Sequence, residues 1–237
     1  MTETHVLCTK VASARETPTG WIHRLDGVPV VLPPARPEAA KINAGAIMRE
    51  FSAKSWPEKQ TALARQLGVS LAALSALGCA WAIGYNAWAF PMRDALGNTI
   101  GIRLRDAGGH KWAVTGSRSG LFFAPARSAR DVVITEGPTD AAAAIDLGLY
   151  PVGRPSCQSS PEQVVGALRR LGARRAIICA DADAPGIDGA VRLQAELPCP
   201  SCIWLPPCKD LREFLRLGGT RAIFDSTIKS LVWTNPA

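Results

Sequence analysis

The sequence predicts an α/β fold in which a parallel sheet flanked by helices follows a smaller, basic α+β subdomain. The first observation is a change of pattern: from residue 131 onward, short continuous apolar runs alternate with helical patterns, as in parallel strands covered on both faces. The second is charge, because residues 1–130 carry 16 basic and 8 acidic side chains, whereas residues 131–237 carry 11 and 12. This asymmetry indicates a polyanionic partner at one end and acid-dependent chemistry at the other.

Composition and cysteine count exclude several classes of protein. The 237 residues are 47% hydrophobic and 20% charged, which excludes disordered and collagen-like chains. Seven cysteines are too few for a disulfide scaffold, and their odd number, with no basic and apolar leader after Met1, predicts a cytoplasmic or nucleoid-associated protein. The apolar stretch Leu71–Phe90 is interrupted by Gly and Ser, so we expect buried helix and strand there and no membrane span.

The first segment, residues 1–36, is predicted to be an extended arm that is partly disordered. Its apolar residues follow no clear period, and the segment ends near Pro33 and Pro34. A single strand through Trp21–Leu32 is the element that we expect in it.

The second segment, residues 37–130, is predicted to be the basic subdomain. Helical spacing runs from Glu38 to about Leu77, with Pro57 in the first turn of a second helix and Gly68 at its end. Four short strands follow, at Ala80–Tyr85, Trp88–Arg93, Thr99–Arg105 and Lys111–Thr115. Residues 93–130 alone hold seven basic side chains against two acidic ones, so we expect this block to form one wall of a cleft. Trp112 lies within it, where core packing is the default role and base stacking the alternative.

The third segment, residues 131–237, is predicted to hold the parallel sheet. The expected strands are Val132–Thr135, Ile177–Ala180 and Cys202–Leu205, each followed by a helix that ends near Leu147, Leu197 and Leu217 respectively. Cys199, Cys202 and Cys208 lack a fourth ligand and a neighbouring His, so no zinc is expected.

Acidic residues stand where the predicted strands end. Glu136 follows the first strand, and Gly137 makes the turn into a helix that carries Asp140. Asp181 and Asp183 follow the second strand, and Gly186 makes the next turn. Ligands bind outside the carboxyl ends of strands in open α/β sheets, so we expect these carboxylates to converge there. Converging like charges favour a hard cation such as Mg²⁺; the alternative is that Asp181 and Asp183 are a helix cap and a solvated turn residue.

Three ordered motifs resemble those of the Toprim domain, which is shared by DnaG-type primases, topoisomerases, some nucleases and recombination factors. The motifs are Glu136-Gly-Pro-Thr-Asp140, Asp181-Ala-Asp183-Ala-Pro-Gly186 and Leu205-Pro-Pro-Cys-Lys209-Asp210. Their spacing most resembles the primase half of bacteriophage and mitochondrial-helicase-type primase-helicases. Upstream, residues 90–98, 102–106 and 111–123 resemble the basic subdomain that precedes Toprim in these primases. The resemblance is to the catalytic core of these primases, and it does not include a complete zinc ribbon or the helicase domain.

The resemblance implies roles for individual residues. Catalytic Mg²⁺ or Mn²⁺ ions, expected to be two, would be held by Glu136, Asp181 and Asp183 with support from Asp140 and Asp210. Nucleotide phosphates and template would contact Arg103, Arg105, Lys111 and Lys209. This sequence departs from the pattern at Arg212, where such primases often carry a further acid.

The function that follows from the resemblance is synthesis of short RNA primers on single-stranded DNA from ribonucleoside triphosphates, by two-metal phosphoryl transfer. A separate replicative helicase is a further expected partner. Two alternatives stay open at this point: a non-catalytic Toprim module that binds nucleic acid in a replication or mobile-element complex, and a Toprim metal-dependent nuclease.

Overall fold

The computed structural model describes residues 5–8, 16–17, 20–24, 41–54, 56–157, 159 and 161–236. The chain divides into two compact units, residues 1–40 and residues 41–237. No helix in the described part of the chain has the length and apolar character needed to cross a membrane.

The first unit contains a small antiparallel sheet. Its strands are β1 (His5–Cys8), β2 (Glu16–Thr17) and β3 (Gly20–Arg24), in the order β1-β3-β2. The predicted strand through Trp21–Leu32 is strand over its described residues, Trp21–Arg24, and residues 25–32 lie outside the described part; two further strands, which were not predicted, pair with β3. Strands of two and four residues are too short to show an alternating pattern. The expected disorder of the arm falls on residues outside the described part.

The second unit begins with three helices, α1 (Ala44–Ala53), α2 (Pro57–Leu67) and α3 (Leu71–Ala76). Pro57 opens α2, and Gly68 ends it in the left-handed conformation, with φ of 70°, so both predicted boundaries are confirmed. The Ser70 hydroxyl accepts a hydrogen bond from the backbone N–H of Ala73 and caps α3.

An antiparallel sheet follows in the order β4-β5-β6-β7. Its strands are β4 (Ala80–Ala82), β5 (Ala87–Arg93), β6 (Thr99–Arg105) and β7 (Lys111–Ala113). A 3₁₀ turn at Ile83–Tyr85 replaces the end of the first predicted strand. In β6, Ile102 and Leu104 are buried against α1 in the core. Arg103 and Arg105 occupy the alternate positions and therefore point to the other face.

The parallel sheet has the order β11-β10-β8-β9. Its strands are β8 (Asp131–Glu136), β9 (Pro151–Arg154), β10 (Arg175–Cys179) and β11 (Ser201–Trp204). The helices are α4 (Pro138–Asp146), α5 (Glu162–Leu171), α6 (Ala184–Gln194), α7 (Leu211–Arg216) and α8 (Arg221–Ile228). Alternate strand residues pack on the two faces: one core contains side chains of α4, α7 and α8, and the other contains side chains of α5 and α6. The predicted α/β class, with helices on both faces of a parallel sheet, is confirmed.

Three elements of this half were not predicted. Strand β9 has four residues, of which Pro151 and Gly153 disfavour a strand, so no apolar run marks it. Helix α5 did carry a signal, because Val164, Ala167, Leu168 and Leu171 repeat at helical spacing and are buried. Helix α8 has a single fully buried residue, Phe224, and so lacks that pattern.

Two features join the sheets within the second unit. Arg93 of β5 exchanges two backbone hydrogen bonds of 2.8 Å with Leu121, and the next residue, Phe122, exchanges bonds of 2.8 and 2.9 Å with Gly153 of β9. Successive residues thus pair with different sheets. The predicted boundary at residues 130 and 131 falls between two sheets of one compact unit, and it stays a prediction as a domain boundary.

Helix α4 completes the connection. Residues Ala141–Ala144 are fully buried between the parallel sheet and helices α3 and α7, where small side chains allow close approach. At the end of α4, the Asp146 carboxylate accepts hydrogen bonds from the backbone N–H of Ser70 (2.7 Å) and from its hydroxyl. The helices of the basic region are therefore held directly on the parallel-sheet region.

Candidate active site

The predicted acids lie at the carboxyl edge of the parallel sheet. Glu136 is the last residue of β8, Asp181 follows β10, and Asp210 follows β11. Asp183 is the residue before α6, and Asp140 lies in the first turn of α4. The parallel order of neighbouring strands brings five acids together that are distant in sequence.

Both predicted turn glycines are required by the backbone. Gly137 has φ of 90°, a conformation that residues with a Cβ rarely adopt. At Gly186, an added Cβ would stand 2.6 Å from the backbone oxygen of Asp181. The loops after β10 and β11 are also tied together, since the Ala182 N–H donates to the Lys209 carbonyl at 2.9 Å. The edge of the sheet is thus a defined surface.

The acids interact electrostatically. Burial, then the charges of Glu136, Asp210 and Asp183, raises the pKa of Asp181 to about 6. Burial and the charges of Asp210 and Asp181 raise the pKa of Asp140 to about 7. The pKa of Glu136 is also raised, chiefly by burial, against the opposing effect of Arg154. Ionised acids at this edge are therefore unfavourable until a cation compensates them.

Both oxygens of two of the acids already have hydrogen-bond or ion-pair partners within the protein. Asp140, 7% exposed, accepts a 3.1 Å hydrogen bond from the Arg212 N–H and a longer one from the Thr139 hydroxyl. Asp210, 6% exposed, accepts a 2.7 Å bond from the Glu213 N–H and lies 3.6 Å from the Arg212 guanidinium. Both oxygens of each carboxylate already face a donor.

The other three acids are not occupied alike. Glu136 Oε1 lies 3.6 Å from the Arg154 guanidinium, the same distance as between Asp210 and Arg212, whereas Asp181 and Asp183 have no such ion pair within the described residues. Among the described residues, the buried Oε1 of Glu136 has no hydrogen-bond partner. Asp181 is half-buried, and Asp183 is exposed. One oxygen of Asp183, Oδ1, accepts a 2.8 Å bond from Gly186 N–H and caps α6, so the alternative helix-cap role holds for this residue and leaves its second oxygen open.

These oxygens fit a hard divalent cation. Within the described residues, no group of three or more His, Cys, Asp or Glu side chains is arranged to hold a metal ion alone. Mg²⁺ in phosphate-handling sites commonly uses one or two carboxylates and completes its shell with waters and substrate phosphates. Carboxylate oxygens from Glu136, Asp181 and Asp183 are of the ligand type that suits that mode.

Of the predicted basic residues of the antiparallel sheet, Lys111 interacts with one of these acids. Arg103 and Arg105 share one face of β6, and Lys111 of β7 lies directly opposite Arg105 in register. Burial and the charge of Arg105 lower the pKa of Lys111, whereas Asp140 raises it. Lys111 therefore lies close enough to Asp140 for their charges to interact. The fourth predicted residue, Lys209, is exposed. Its positive charge lowers the pKa of Asp181, so Lys209 also lies near the acids.

The expected basic wall is smaller than the charge count of residues 93–130 suggested. The Arg93 guanidinium donates to the Phe123 and Gly97 carbonyls, each at 3.2 Å, and so stabilises the fold. Arg130 precedes β8 and lies at the amino edge of the sheet, opposite the acids. Net charge along the chain does not distinguish the two edges of a sheet.

Trp112 lies away from the basic face. It is opposite Leu104 in register and packs on the core below α1, stacked on His110 with ring centroids 5.1 Å apart. Core packing, the default role, is what the structure shows.

Arg154, at the end of β9, was missed by sequence reasoning. Its side chain is almost fully buried, and its Nη2 lies 3.6 Å from Glu136 Oε1. Its Nη1 donates to the carbonyls of Cys157 and Gly189 at 3.3 and 3.4 Å. The guanidinium thereby holds Glu136 at the edge. Because β9 lacks an apolar run, nothing in the sequence placed Arg154 at a strand end.

Comparison with protein families and curated proteins shows two relationships. A family described as Toprim-like matches residues 133–215. The Gene 57 protein of Mycobacterium phage D29 is 32% identical over 151 residues, which span 62% of this chain and 97% of that protein.

Comparison with solved structures shows a shared fold. The primase fragment of the bacteriophage T7 primase-helicase matches with a TM-score of 0.59 and 21% identity, covering 69% of this chain and 72% of that one. The E. coli primase catalytic core matches with a TM-score of 0.64 and 16% identity, covering 81% and 79%. A DnaG primase catalytic domain bound to single-stranded DNA matches with a TM-score of 0.64 and 15% identity, covering 80% and 78%.

Proposed function

Because this chain belongs to the family of the phage D29 Gene 57 protein and has a Toprim domain in a primase-type fold, we propose that it is a primase catalytic core. It would join ribonucleoside triphosphates into short RNA primers on single-stranded DNA. The observation that carries the proposal is the opposition of charges in one unit: the basic face of β6 and β7 lies close enough to the acidic strand edge for Lys111 and Asp140 to interact.

Each group of residues has a part in this reaction. A bound divalent ion would neutralise triphosphate charge and favour attack by a hydroxyl group. Glu136, Asp181 and Asp183 would hold that ion, and Arg154 keeps Glu136 in place through their 3.6 Å ion pair.

The basic residues would act on the nucleic acid. Arg103, Arg105 and Lys111 present cations along one face, which suits the phosphates of a template or of an incoming nucleotide. All three would position the nucleic acid and stabilise charge, and the two arginines would not transfer protons, since arginine stays protonated at neutral pH. Lys209 adds a cation on the acidic side.

The partners follow from the same comparison. One structural neighbour is bound to single-stranded DNA, and another is the primase fragment of a primase-helicase. We propose single-stranded DNA and ribonucleotides as the substrates of this chain, and a separate replicative helicase as its partner.

One observation favours a second function, a non-catalytic module that binds nucleic acid. Asp140 and Asp210 meet donors from Arg212, and Glu136 meets Arg154, which leaves two of the five predicted acids, Asp181 and Asp183, without an arginine partner among the described residues. A module that retained the basic face would bind single-stranded DNA and make no product.

A single incubation tests both functions. The chain is mixed with labelled single-stranded DNA, ribonucleotides and Mn²⁺, and the products are resolved on a denaturing gel. New oligonucleotides support the primase, and their loss in Asp183→Asn would assign them to the acidic edge. Shortened template would instead identify a metal-dependent nuclease. Unchanged template, together with DNA binding retained in a parallel fluorescence anisotropy measurement, would identify the module.

A further inference from the structure

Arg212 lies between the acidic edge and the basic face. Its backbone N–H donates to Asp140, and its guanidinium Nη2 stands 3.6 Å from Asp210 Oδ2. The side chain is 28% exposed, so the guanidinium reaches the buried acids and still meets solvent. It is therefore accessible to a ligand from solvent.

The guanidinium also belongs to a cluster of cations. Its charge lowers the pKa of Arg105 and of Lys111, which places it near both residues of the opposite sheet. In the described part of the chain, the buried Nε atoms of Arg103 and Arg105 have no hydrogen-bond partner. Crowded cations with unsatisfied donors are unfavourable unless an anion binds among them. A phosphate supplies both the negative charge and the acceptor oxygens.

We propose that the guanidinium of Arg212 replaces one cation of this site: it neutralises Asp210 and donates its remaining N–H groups to a phosphate of the bound nucleotide. The acids at the strand edge then hold a single divalent ion, on the side of Asp181 and Asp183. The inference rests on the proposed function for its choice of ligand, a di- or triphosphate group.

The chemistry of the side chain supports this assignment. Arginine is permanently charged, and its planar fork matches two phosphate oxygens at once. A metal ion in the same position would compete with Arg212 for Asp210, whose other oxygen is already occupied by the Glu213 N–H. Arg212 therefore makes part of the phosphate site independent of metal.

Binding of pyrophosphate in EDTA, measured by titration calorimetry, tests this independence. Wild type is expected to bind, and Arg212→Gln is expected to bind roughly tenfold more weakly, the size of one charge-assisted interaction. Arg212→Lys keeps the charge and loses the fork, so it should lose less, about threefold. Arg216→Gln, on the same helix and paired with Glu213, is the matched control and should bind as wild type. Circular dichroism confirms that each variant is folded.

Mn²⁺ stoichiometry, measured by electron paramagnetic resonance without DNA or nucleotide, tests the ion count. One ion per chain is expected in wild type and none in an Asp181→Asn, Asp183→Asn double variant. Two ions per wild-type chain, or pyrophosphate affinity in Arg212→Gln equal to wild type, would overturn the inference. A chain that binds one Mn²⁺ and metal-free pyrophosphate as expected but makes no primer would overturn the proposed function and leave this inference standing.

Discussion

The antiparallel sheet and the parallel sheet present their charges in different ways. In the antiparallel sheet, Arg103 and Arg105 are alternate residues of β6, about 7 Å apart along the strand. Lys111 lies beside Arg105 on β7, so the three cations spread over one face. In the parallel sheet, Glu136 and Asp181 stand at the ends of adjacent strands, about 5 Å apart in strand spacing. A face suits an extended polyanion, whereas an edge concentrates charge on one small cation. The two surfaces can therefore be disabled separately.

Asp181→Asn removes one carboxylate charge from the acidic edge and leaves the basic face intact. Primer synthesis is expected to fall by about a thousandfold, because a bound divalent ion contributes several kcal/mol of transition-state charge stabilisation. The measurement is a primer-synthesis time course, with single-stranded DNA affinity recorded alongside and expected to stay unchanged. Asp188→Asn removes an exposed acid of α6 outside the cluster and serves as the control. Near-normal synthesis in Asp181→Asn would contradict the role of the edge.

The pH dependence of stability tests whether the edge is strained without a cation. The pKa of Asp140 rises from 3.8 to about 7 on folding, so the folded state holds a proton that the unfolded state releases. This residue therefore makes the metal-free protein less stable as pH rises from about 4 to 7, by a few kcal/mol in total. Calorimetric melting in EDTA should show a flatter pH dependence for Asp140→Asn than for wild type. An identical slope in the two proteins would contradict the raised pKa.

Lys111→Gln removes one cation from the basic face and leaves the acidic edge intact. Binding of single-stranded DNA is expected to weaken by about tenfold, and the slope of log affinity against log salt should fall by about one unit. Mn²⁺ affinity should stay at the wild-type value. Fluorescence anisotropy over a salt series measures the first effect. Arg118→Gln, an exposed residue outside the cluster, is the control, and equal losses in both variants would argue against a defined basic face.

The smallest expected effect separates the two roles of Asp183. Asp183→Ala removes the cap of α6 and should cost about 1 kcal/mol of unfolding free energy, whereas Asp183→Asn keeps an oxygen for the Gly186 N–H and should cost less. Urea denaturation measures both. Primer synthesis should be lost in both variants, since both remove the carboxylate charge. Equal stability of the two variants would show that the cap contributes nothing.

Prediction from sequence succeeded where the rule was local. Pro57 and Gly68 mark the two ends of a helix. Glu136 ends a strand, and Asp181 and Asp210 follow strands, and the apolar runs of all three strands were recognisable. Parallel strands then bring their carboxyl ends to one edge without further information. Strand β9 was missed because its four residues lack an apolar run, and Arg154 was missed with it.

The division of the acids could not be predicted in the same way. Asp140 and Asp210 belong to different motifs. Arg212 is two residues from Asp210, but its contact with Asp140 joins residues that only the fold brings together. Likewise, Arg130 counts toward the basic block in sequence but lies at the amino edge of the parallel sheet, opposite the acids. Such contacts depend on which residues the chain brings together.

By itself, the sequence determined the α/β class, the acidic strand ends and the motifs of the Toprim domain, because apolar period, turn residues and motif spacing are properties of short segments. Only the tertiary structure decided which acids keep free oxygens, which cations face them, and that Arg212 and Arg154 stand among them. The physical reason is that charge interactions depend on distance and burial. Both are set when separate elements pack together.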